Sequence, residues 1–357
     1  MLTRYSLMGS SSRVRFFQYI PYLQSLGWTV DASSFLDDSY LQQLYGRNKR
    51  SPILILTSYV KRIVRLLKST DYDVLWIEKE LMQWVPAWLE AYILRKYAGR
   101  YIIDYDDAIF HNYDLHRNAF IKKCYGEKIK KMMAGSYCVL AGNEYIAEYA
   151  RAAGASRIEI IPSVVDTNRY IKEPSLKSED IKFSIGWIGS PSTAKYLKII
   201  ENPLRLLAEG RNIELCVIGS NDAPVSGFPV RYLEWSEDTE VENVGHFDVG
   251  IMPLLDSPWE RGKCGFKLIQ YMACGKPVIA SPVGVNSSIV EDGFNGYLAE
   301  SDADWVRSLK MLYEDRGQAN EMGLRGRICV EEHYSLQVTA PRIQQILAGL
   351  VRDFSEK

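Results

Sequence analysis

Two lysines and two glycines stand close together in the segment 262–267. The FKLIQYMAC string that follows Gly265 has the composition of a helix, so the order predicts that Gly265 and Phe266 begin one. A helix start presents backbone N–H groups and the positive end of a dipole, and Lys263 and Lys267 add charge to it. These residues are suited to binding a diphosphate. The alternative is a glycine-rich loop with two solvated lysines.

Carboxylates are concentrated in a second segment, IIDYDDAIFHNYD, at residues 102–114. Asp106 and Asp107 are predicted to end a strand, and a carboxylate at a strand end can orient or deprotonate a substrate hydroxyl as a general base. The alternative is that Asp106 and Asp107 cap the next turn and that His111 is simply exposed.

Short apolar runs alternate with helical stretches in the second half of the chain. Each run is rich in β-branched residues and is closed by Gly, Pro or Ser, which favours buried parallel strands. The stretch 193–210 has helical spacing and ends at Gly210. This order predicts a doubly wound α/β domain with ligand groups at the carboxyl ends of its strands. The predicted strands are 181–189, 213–219, 247–254 and 276–281.

The first half has the same alternation with a weaker periodicity. Its opening strand, LTRYSLM, precedes a Gly-Ser loop at 9–12 and a helix that ends at Gly27. A helix is also predicted over 144–155. The remaining predicted strands are 28–33, 72–79, 100–107, 136–143 and 158–166.

The length of 357 residues predicts two domains of roughly 170 residues each. We place an N-terminal Rossmann-like domain at 1–167 and a C-terminal one at 181–335. Pro, Ser and charges without periodicity mark 168–180 as the linker. The last helix, 336–357, is expected to cross back to the first domain.

The composition is that of an ordinary soluble globular protein, with 47% hydrophobic and 24% charged residues. No apolar run approaches the roughly 20 residues that span a bilayer, and no secretory signal is visible, so a cytoplasmic location is expected. The six cysteines form no CxxC pair and are expected to be reduced. Cys264 is as well explained by packing as by chemistry.

The net charge of −1 conceals two halves of opposite sign. Residues 1–170 carry 23 Lys+Arg and 17 Asp+Glu, a balance of +6, and the remaining 20 and 27 give −7. Two stretches of the basic half, 58–69 and 119–133, are amphipathic and cationic, which is typical of helices on anionic membrane surfaces. The alternative is a solvated helix face. Nucleic acid is not an expected partner, because the pI is near 6.5 and no reader motif is present.

The string from Lys263 to Glu300 resembles the C-terminal domain of family 4 retaining glycosyltransferases, which have the GT-B fold of two Rossmann-like domains facing a cleft. The family pattern is EAMAxGxPV followed by EIVxDGxNG. The matching positions here are Gln270–Ala273, Gly275, Pro277, Val278 and Ile289–Gly296. The resemblance implies transfer of a sugar from a nucleotide diphosphate sugar, with retention of configuration and without a metal.

Further segments extend the resemblance over most of the chain. GWIGSPSTAKYL is similar to the FVGRxxxxKG loop, so Lys195 takes the place of the lysine that grips the diphosphate and Ser190 that of the arginine. The loop at Gly9 and Ser10 stands where the family has a glycine-rich loop near the reacting sugar. Arg13 would stabilise the departing charge from the other domain.

The family pattern has two acidic residues, one before its glycine-rich turn and one that opens EAMA. In this chain those two positions are Gly262 and Gln270, so both carboxylates are missing. Gln270 can still bind ribose hydroxyls through its amide. Lys263 and Lys267 would supply positive charge, as in the KCxFKxxEYMA variant to which this chain is most similar. Trp235 is a candidate to flank the nucleotide base.

The resemblance implies that Asp106 and Asp107 lie near the donor sugar and the acceptor hydroxyl. Asp104-Tyr105-Asp106 also spells DxD, a metal–nucleotide motif of the unrelated GT-A transferases, but the C-terminal string favours GT-B. The expected function is a hexosyltransferase acting on a saccharide or lipid-linked acceptor in surface polysaccharide or glycoconjugate synthesis. The alternatives are a sugar-nucleotide epimerase of related fold and a catalytically degenerate donor-binding subunit.

Overall fold

The computed structural model describes residues 1–45, 51–68, 72–95, 100–170 and 182–356. The chain divides into two compact units. Unit 1 comprises Met1–Ser163, Gly262–Cys264 and Thr339–Lys357, and unit 2 comprises Val164–Arg261 and Gly265–Val338. Most of the predicted linker lies outside the described residues, and the predicted domain bounds stay predictions.

Unit 1 is built on a six-stranded sheet in the order β2-β1-β3-β4-β5-β6. All of its strand pairs are parallel. The apolar runs of β3, β4 and β5 are wholly buried, as expected of strands covered on both faces. The strands are β1 Leu2–Tyr5, β2 Ser33–Leu36, β3 Leu75–Glu78, β4 Tyr101–Tyr105, β5 Cys138–Ala141 and β6 Ile158–Ile160.

Helices connect these strands. Unit 1 contains α1 Ser10–Arg15, α2 Ile20–Ser25, α3 Asp38–Tyr45, α4 Pro52–Lys68, α5 Ala87–Arg95, α6 His111–Asp114, α7 Ala119–Tyr125, α8 Lys128–Ala134 and α9 Glu144–Ala152, with a 3₁₀ turn at Phe17–Tyr19.

The prediction of a loop over 9–12 was wrong, because α1 already begins at Ser10 after the extended N-cap residue Gly9. The reason is long-range. Ser12 Oγ accepts a hydrogen bond from Tyr5 N (3.0 Å) and donates one to Glu78 Oε2 (2.6 Å), so the serine is fixed inside the fold.

Other predicted elements of unit 1 also differ. The strand predicted at 28–33 begins only at Ser33, since β1, its partner, begins at Leu2 and pairs first with Ser33. The amphipathic stretch 119–133 is two helices, α7 and α8, rather than one. Lys128 of α8 is fully buried and pairs with Glu80 (2.6 Å), so it is not part of a cationic surface.

Unit 2 repeats the architecture with a second parallel sheet, in the order β12-β11-β10-β7-β8-β9. Buried aliphatic and aromatic side chains from both faces of this sheet form two core clusters. The prediction of two doubly wound parallel-sheet domains is thereby confirmed. The strands are β7 Phe183–Ile188, β8 Ile213–Ile218, β9 Val230–Leu233, β10 Val249–Met252, β11 Val278–Ala280 and β12 Gly296–Leu298.

The helix predicted over 193–210 is a 3₁₀ helix, Ala194–Ile200, followed by an α-helix from Glu201. Pro203 explains the change, because it has no N–H to donate to a residue one turn earlier. The remaining helices are α10 Glu201–Ala208, α11 Glu240–Gly245, α12 Pro258–Arg261, α13 Phe266–Ala273, α14 Asn286–Ile289, α15 Asp302–Glu314, α16 Arg316–His333 and α17 Leu336–Ser355.

A search of the described helices for one long and apolar enough to cross a membrane finds none.

Candidate active site

An ion pair lies at the carboxyl ends of two adjacent strands of unit 1. Lys79 directly follows β3 and Asp106 directly follows β4, and Lys79 Nζ is 2.8 Å from Asp106 Oδ1. Ser11 of α1 donates a hydrogen bond to Asp106 Oδ2 and accepts one from Lys79 Nζ (3.0 Å). Two residues, one directly after β3 and one in α1, therefore fix this carboxylate, and Lys79 is only 4% exposed.

Lys79 adopts a backbone conformation that side chains avoid, with a φ of 64°. Such strain persists where the surroundings fix it and is concentrated at functional sites. Here the Lys79 amide donates to Asp104 O (2.9 Å) while the ammonium is held by Asp106. Sequence reasoning missed Lys79. The available signal was a charged residue directly after the apolar strand of YDVLWIEK.

The electrostatic setting keeps Asp106 ionised. Burial alone would raise the pKa of Asp106, but the charge of Lys79 and the hydrogen bonds from Lys79 and Ser11 outweigh burial and hold that pKa at about 2. A carboxylate with so low a pKa is a poor proton acceptor at neutral pH. The geometry thus favours a positioning role for Asp106 over the general base role that the sequence suggested.

Asp107, the next residue, has the opposite electrostatic balance. Burial raises its pKa, Lys263 lowers it and Asp106 raises it again, and the net pKa lies above the ordinary value. The Asp107 side chain is 32% exposed, with its Oδ1 3.8 Å from Lys263 Nζ. Of the two aspartates, Asp107 is the one that can take up a proton.

Residues 262–264 are held inside unit 1 beside these aspartates. Asn143 Nδ2 donates to Lys263 O (2.9 Å), and Cys264 Sγ donates to Asp106 O (3.0 Å). Burial raises the pKa of the Cys264 thiol, so the thiol stays protonated and acts as a packed donor. A Cβ at Gly142 would lie 2.2 Å from Cys264 Sγ, which shows how closely this segment is packed.

Gly262 explains one of the two missing acidic residues. A Cβ at this position would lie 2.3 Å from Ala108 Cβ and 2.7 Å from Ala108 N, so no side chain fits without movement of the backbone. The chain has no room for the carboxylate that the family pattern places here.

We expect Gly262→Glu to destabilise the protein rather than to improve it. Overpacking of this kind costs about 2–3 kcal/mol, which corresponds to roughly 5–10 °C in the melting temperature of a domain of this size. Gly245→Glu is the matched control, because a Cβ at Gly245 meets nothing within 4 Å. Thermal unfolding of both variants measures the difference, and equal melting temperatures would contradict the steric explanation.

In unit 2, Lys267 lies in the first turn of α13, which begins after Gly265. Gly265 has a φ of 65°, which favours glycine, and a Cβ there would meet Ile289 Cδ1 at 2.3 Å. Lys267 Nζ lies 4.7 Å from the centre of the Trp187 ring. It also lies 2.5 Å from the point where a Cβ of Gly189 would be, so bare backbone at the end of β7 makes room for the ammonium.

Gln270, also on α13, takes part in a buried hydrogen-bond network with residues outside that helix. Gln270 Nε2 donates to Tyr170 OH (3.3 Å), and Tyr170 OH donates to Glu240. Trp235 Nε1 donates to the other oxygen of Glu240 (2.6 Å). The structure therefore links Gln270 to Trp235, the two residues predicted to contact the nucleoside. Glu240, only 3% exposed, was missed because one of its two partners, Tyr170, lies 70 residues away in the sequence.

The remaining predicted donor residues of unit 2 are at or near its surface. Lys195 is exposed and lines a cavity of about 400 Å³ together with Lys198 and Glu260. Ser190 begins the turn that leads into the 3₁₀ helix that contains Lys195, and its carbonyl accepts a hydrogen bond from Thr193 N (2.9 Å). Phe266 is half-buried and packs against the core beneath α13.

The predicted residues of the first loop lie in unit 1. Gly9 precedes α1, and a Cβ there would lie 2.4 Å from Tyr5 Cβ. Ser10 is exposed. Arg13 is 8% exposed and donates to Leu7 O (3.1 Å), so its guanidinium is tied to its own loop. A role for Arg13 towards a leaving group stays a prediction.

In an assay of sugar transfer, the activity that the sequence resemblance implies, we expect Lys79→Met to lower kcat about 10- to 100-fold with little change in the KM for the nucleotide sugar, because it removes the charge that orients Asp106. Lys79→Gly is the paired variant, since it removes the same charge but relieves the backbone strain at φ 64°. Steady-state kinetics with thermal unfolding compares them. Full activity in the glycine variant would show that the charge has no role.

The fold is the GT-B fold, because solved GT-B structures superimpose on this chain. Sucrose-phosphate synthase from Thermosynechococcus elongatus superimposes with a TM-score of 0.71 at 16% identity, covering 99% of this chain and 96% of that chain. Anabaena Alr3699/HepE in complex with UDP gives 0.71 at 15% identity, covering 98% of each chain. At these identities the likeness shows the fold.

The family is indicated by sequence. Residues 182–315 match the model of the group 1 glycosyl transferases. D-inositol 3-phosphate glycosyltransferase from Paenarthrobacter aurescens (strain TC1) is 25% identical over 203 residues, which cover 51% of this chain and 48% of the relative. That from Arthrobacter sp. (strain FB24) is 35% identical over 78 residues, or 21% of this chain and 17% of the relative.

The chain thus spans about half the length of the first of these relatives and less of the second. The chain is similar to the group 1 glycosyl transferases over residues 182–315, the predicted GT-B fold is confirmed, and the match supports a transferase enzyme. Assignment to family 4 and to its lysine-rich variant stays a prediction.

Proposed function

We propose that the protein transfers a sugar from a nucleoside diphosphate sugar to a hydroxyl group of a saccharide or lipid-linked saccharide. The observation that carries this proposal is Lys267, placed in the first turn of α13 against the bare backbone of Gly189, inside the segment that matches the group 1 glycosyl transferases. One fold neighbour, Alr3699/HepE, was solved in complex with UDP and glucose.

On the donor side, the positive end of α13 and Lys267 hold the diphosphate. Both act on charge that grows as the diphosphate leaves, so they stabilise the transition state more than the bound donor. Gln270 and Trp235 bind the nucleoside, and Glu240 orients Trp235 through its indole N–H. Lys195 adds charge from the 3₁₀ helix. No metal is required in this scheme.

On the acceptor side, Asp107 takes up the proton of the attacking hydroxyl. The bond between the anomeric carbon and the diphosphate oxygen breaks, the bond to the acceptor oxygen forms, and the proton passes to Asp107. Configuration is retained. Asp106, held by Lys79 and Ser11, fixes the end of β4 and thereby the position of Asp107. The product is a cytoplasmically made glycoconjugate or surface polysaccharide precursor.

A panel of UDP-, GDP- and ADP-sugars tests this proposal on the purified protein. We expect one base to be selected and its diphosphate to be released, slowly with water and faster with a saccharide acceptor. Formation of an epimeric sugar nucleotide without release of diphosphate would overturn transfer in favour of epimerisation. Binding of a donor without any turnover would identify a degenerate donor-binding subunit.

A further inference from the structure

Helix α4 of unit 1 turns its aliphatic side chains towards solvent. They recur every three or four residues, so they share one face of the helix. Their exposed fractions range from 43% to 72%. We call this set the α4 apolar face: Ile53, Leu56, Val60, Ile63, Val64 and Leu67.

The buried side of the same helix is narrow and partly polar. Ser58, Arg62 and Leu66 are 7%, 2% and 3% exposed. Arg62 Nη2 donates to Thr3 O (2.6 Å) and to Ser33 O (3.2 Å), the carbonyls of two neighbouring strands. These bonds fix the rotation of α4, so the outward direction of its apolar face is a built feature of the fold.

Exposed aromatic residues continue this surface. Tyr59 OH of α4 donates to Gln83 O (2.5 Å), which joins the helix to the turn that carries Trp84. Trp84 is 46% exposed, and Trp88 and Tyr92, one turn apart on α5, are 70% and 69% exposed. Trp84 also has a φ of 55°, a conformation uncommon for a bulky side chain.

Helix α7 reaches the same surface, since the Trp84 ring lies 6.0 Å from that of Tyr125 at its end. Phe120 of α7 is 71% exposed. Trp84, Trp88 and Tyr92 form what we call the aromatic rim, and Phe120 is a further exposed aromatic residue on α7. Large apolar side chains in such number on one surface mark an interaction site rather than a solvated face.

The charges of these helices have one sign. The sequences of α4, α5 and α7 contain one carboxylate between them, Glu90, which is fully buried 3.2 Å from Lys128. The exposed charged residues include Lys61, Arg95, Lys122 and Lys123, all cations. An apolar face bordered by tryptophan, tyrosine and cations has the chemistry of a helix lying in the interface of an anionic bilayer.

We propose that the α4 apolar face and the aromatic rim dock this protein on the surface of an anionic lipid bilayer. Helix α4, 17 residues or about 25 Å long, lies in the membrane plane with its aliphatic side chains in the acyl boundary. The rim lies at headgroup level, and the cations face lipid phosphates. Amphipathic basic helices at 58–69 and 119–133 were predicted to make this contact. The structure instead assigns membrane insertion to apolar residues, and Lys128 is buried and cannot contact lipid.

Flotation with phosphatidylcholine vesicles, with and without phosphatidylglycerol, tests the proposal independently of catalysis. We expect the wild-type protein to float with the phosphatidylglycerol vesicles and the double variant Leu56→Glu/Ile63→Glu to lose at least about tenfold in binding. The control is Leu206→Glu/Leu324→Glu, which changes two leucines of unit 2 that are 49% and 41% exposed and should bind like the wild type.

Circular dichroism and thermal unfolding establish that both double variants fold. A second readout is the fluorescence of Trp88→Phe, which should lose part of the blue shift that vesicles induce in the wild type. Wild-type protein that stays with neither kind of vesicle would overturn the proposal. So would unchanged binding by Leu56→Glu/Ile63→Glu, or a wild-type dimer that this variant converts to a monomer, which would make the face a contact between copies.

Discussion

Lys267→Ala should lower kcat/KM for the nucleotide sugar by about 10²–10³, the effect of removing one preorganised group that stabilises developing negative charge. Lys267 Nζ is held over the Trp187 ring at 4.7 Å and beside Gly189, so the ammonium needs no reorganisation when the diphosphate departs. Steady-state kinetics on the preferred donor measures the loss.

The matched control is Lys310→Ala, because Lys310 is half exposed on α15 and pairs with Glu314 (3.7 Å) one turn away. That variant should keep wild-type kinetics. Equal kcat/KM values for Lys267→Ala and wild type would show that Lys267 at the start of α13 does not bind the diphosphate. Equal losses of kcat/KM in both variants would point to instability instead.

Asp107→Asn should lower kcat by about 10²–10⁴, the usual contribution of a positioned general base, with little change in donor affinity. Burial together with Asp106 places the pKa of Asp107 above its ordinary value. A base must be ionised to act, so wild-type kcat should fall as the pH drops through that raised pKa. The asparagine variant should lose this acidic limb of the pH profile.

Asp73→Asn serves as the control, since Asp73 is an exposed aspartate of the same unit. A normal acidic limb in Asp107→Asn would show that another group takes the proton. The profile of Asp106→Asn discriminates further, because a carboxylate with a pKa of about 2 does not titrate in the working range. Its loss should lower kcat and shift the limb to lower pH, because Asp106 then no longer raises the pKa of Asp107, but the limb should persist.

The fold was largely predictable, because buried parallel strands leave apolar runs closed by Gly, Pro or Ser, and both sheets follow from them. The positions that differed depend on partners distant in sequence. α1 starts early because Ser12 contacts Tyr5 and Glu78, and β2 starts late because its register begins at Leu2 and Ser33. Local sequence propensity does not reveal the Ser12 contacts or the register of β1 with β2.

The candidate site was predictable only in part. Asp106, Asp107 and Lys267 stand next to recognisable strand and helix ends. Lys79 escaped because its role arises from the pairing of β3 with β4, which brings the ends of two strands together. The sequence also did not predict that the apolar face of α4 points outward, for a similar reason. Periodicity shows that a helix has two faces, while Arg62 and the strand carbonyls decide which one is buried.

The most direct test of glycosyl transfer is the ratio of released nucleoside diphosphate to glycosylated acceptor. Both products are measured in the same reaction by mass spectrometry. After subtraction of the slow hydrolysis by water, we predict one nucleoside diphosphate for each acceptor that gains a sugar, and loss of both products in parallel in Lys267→Ala. With acceptor present, donor consumption that yields no glycosylated acceptor, or a glycosylated acceptor formed without diphosphate, would contradict the proposed reaction.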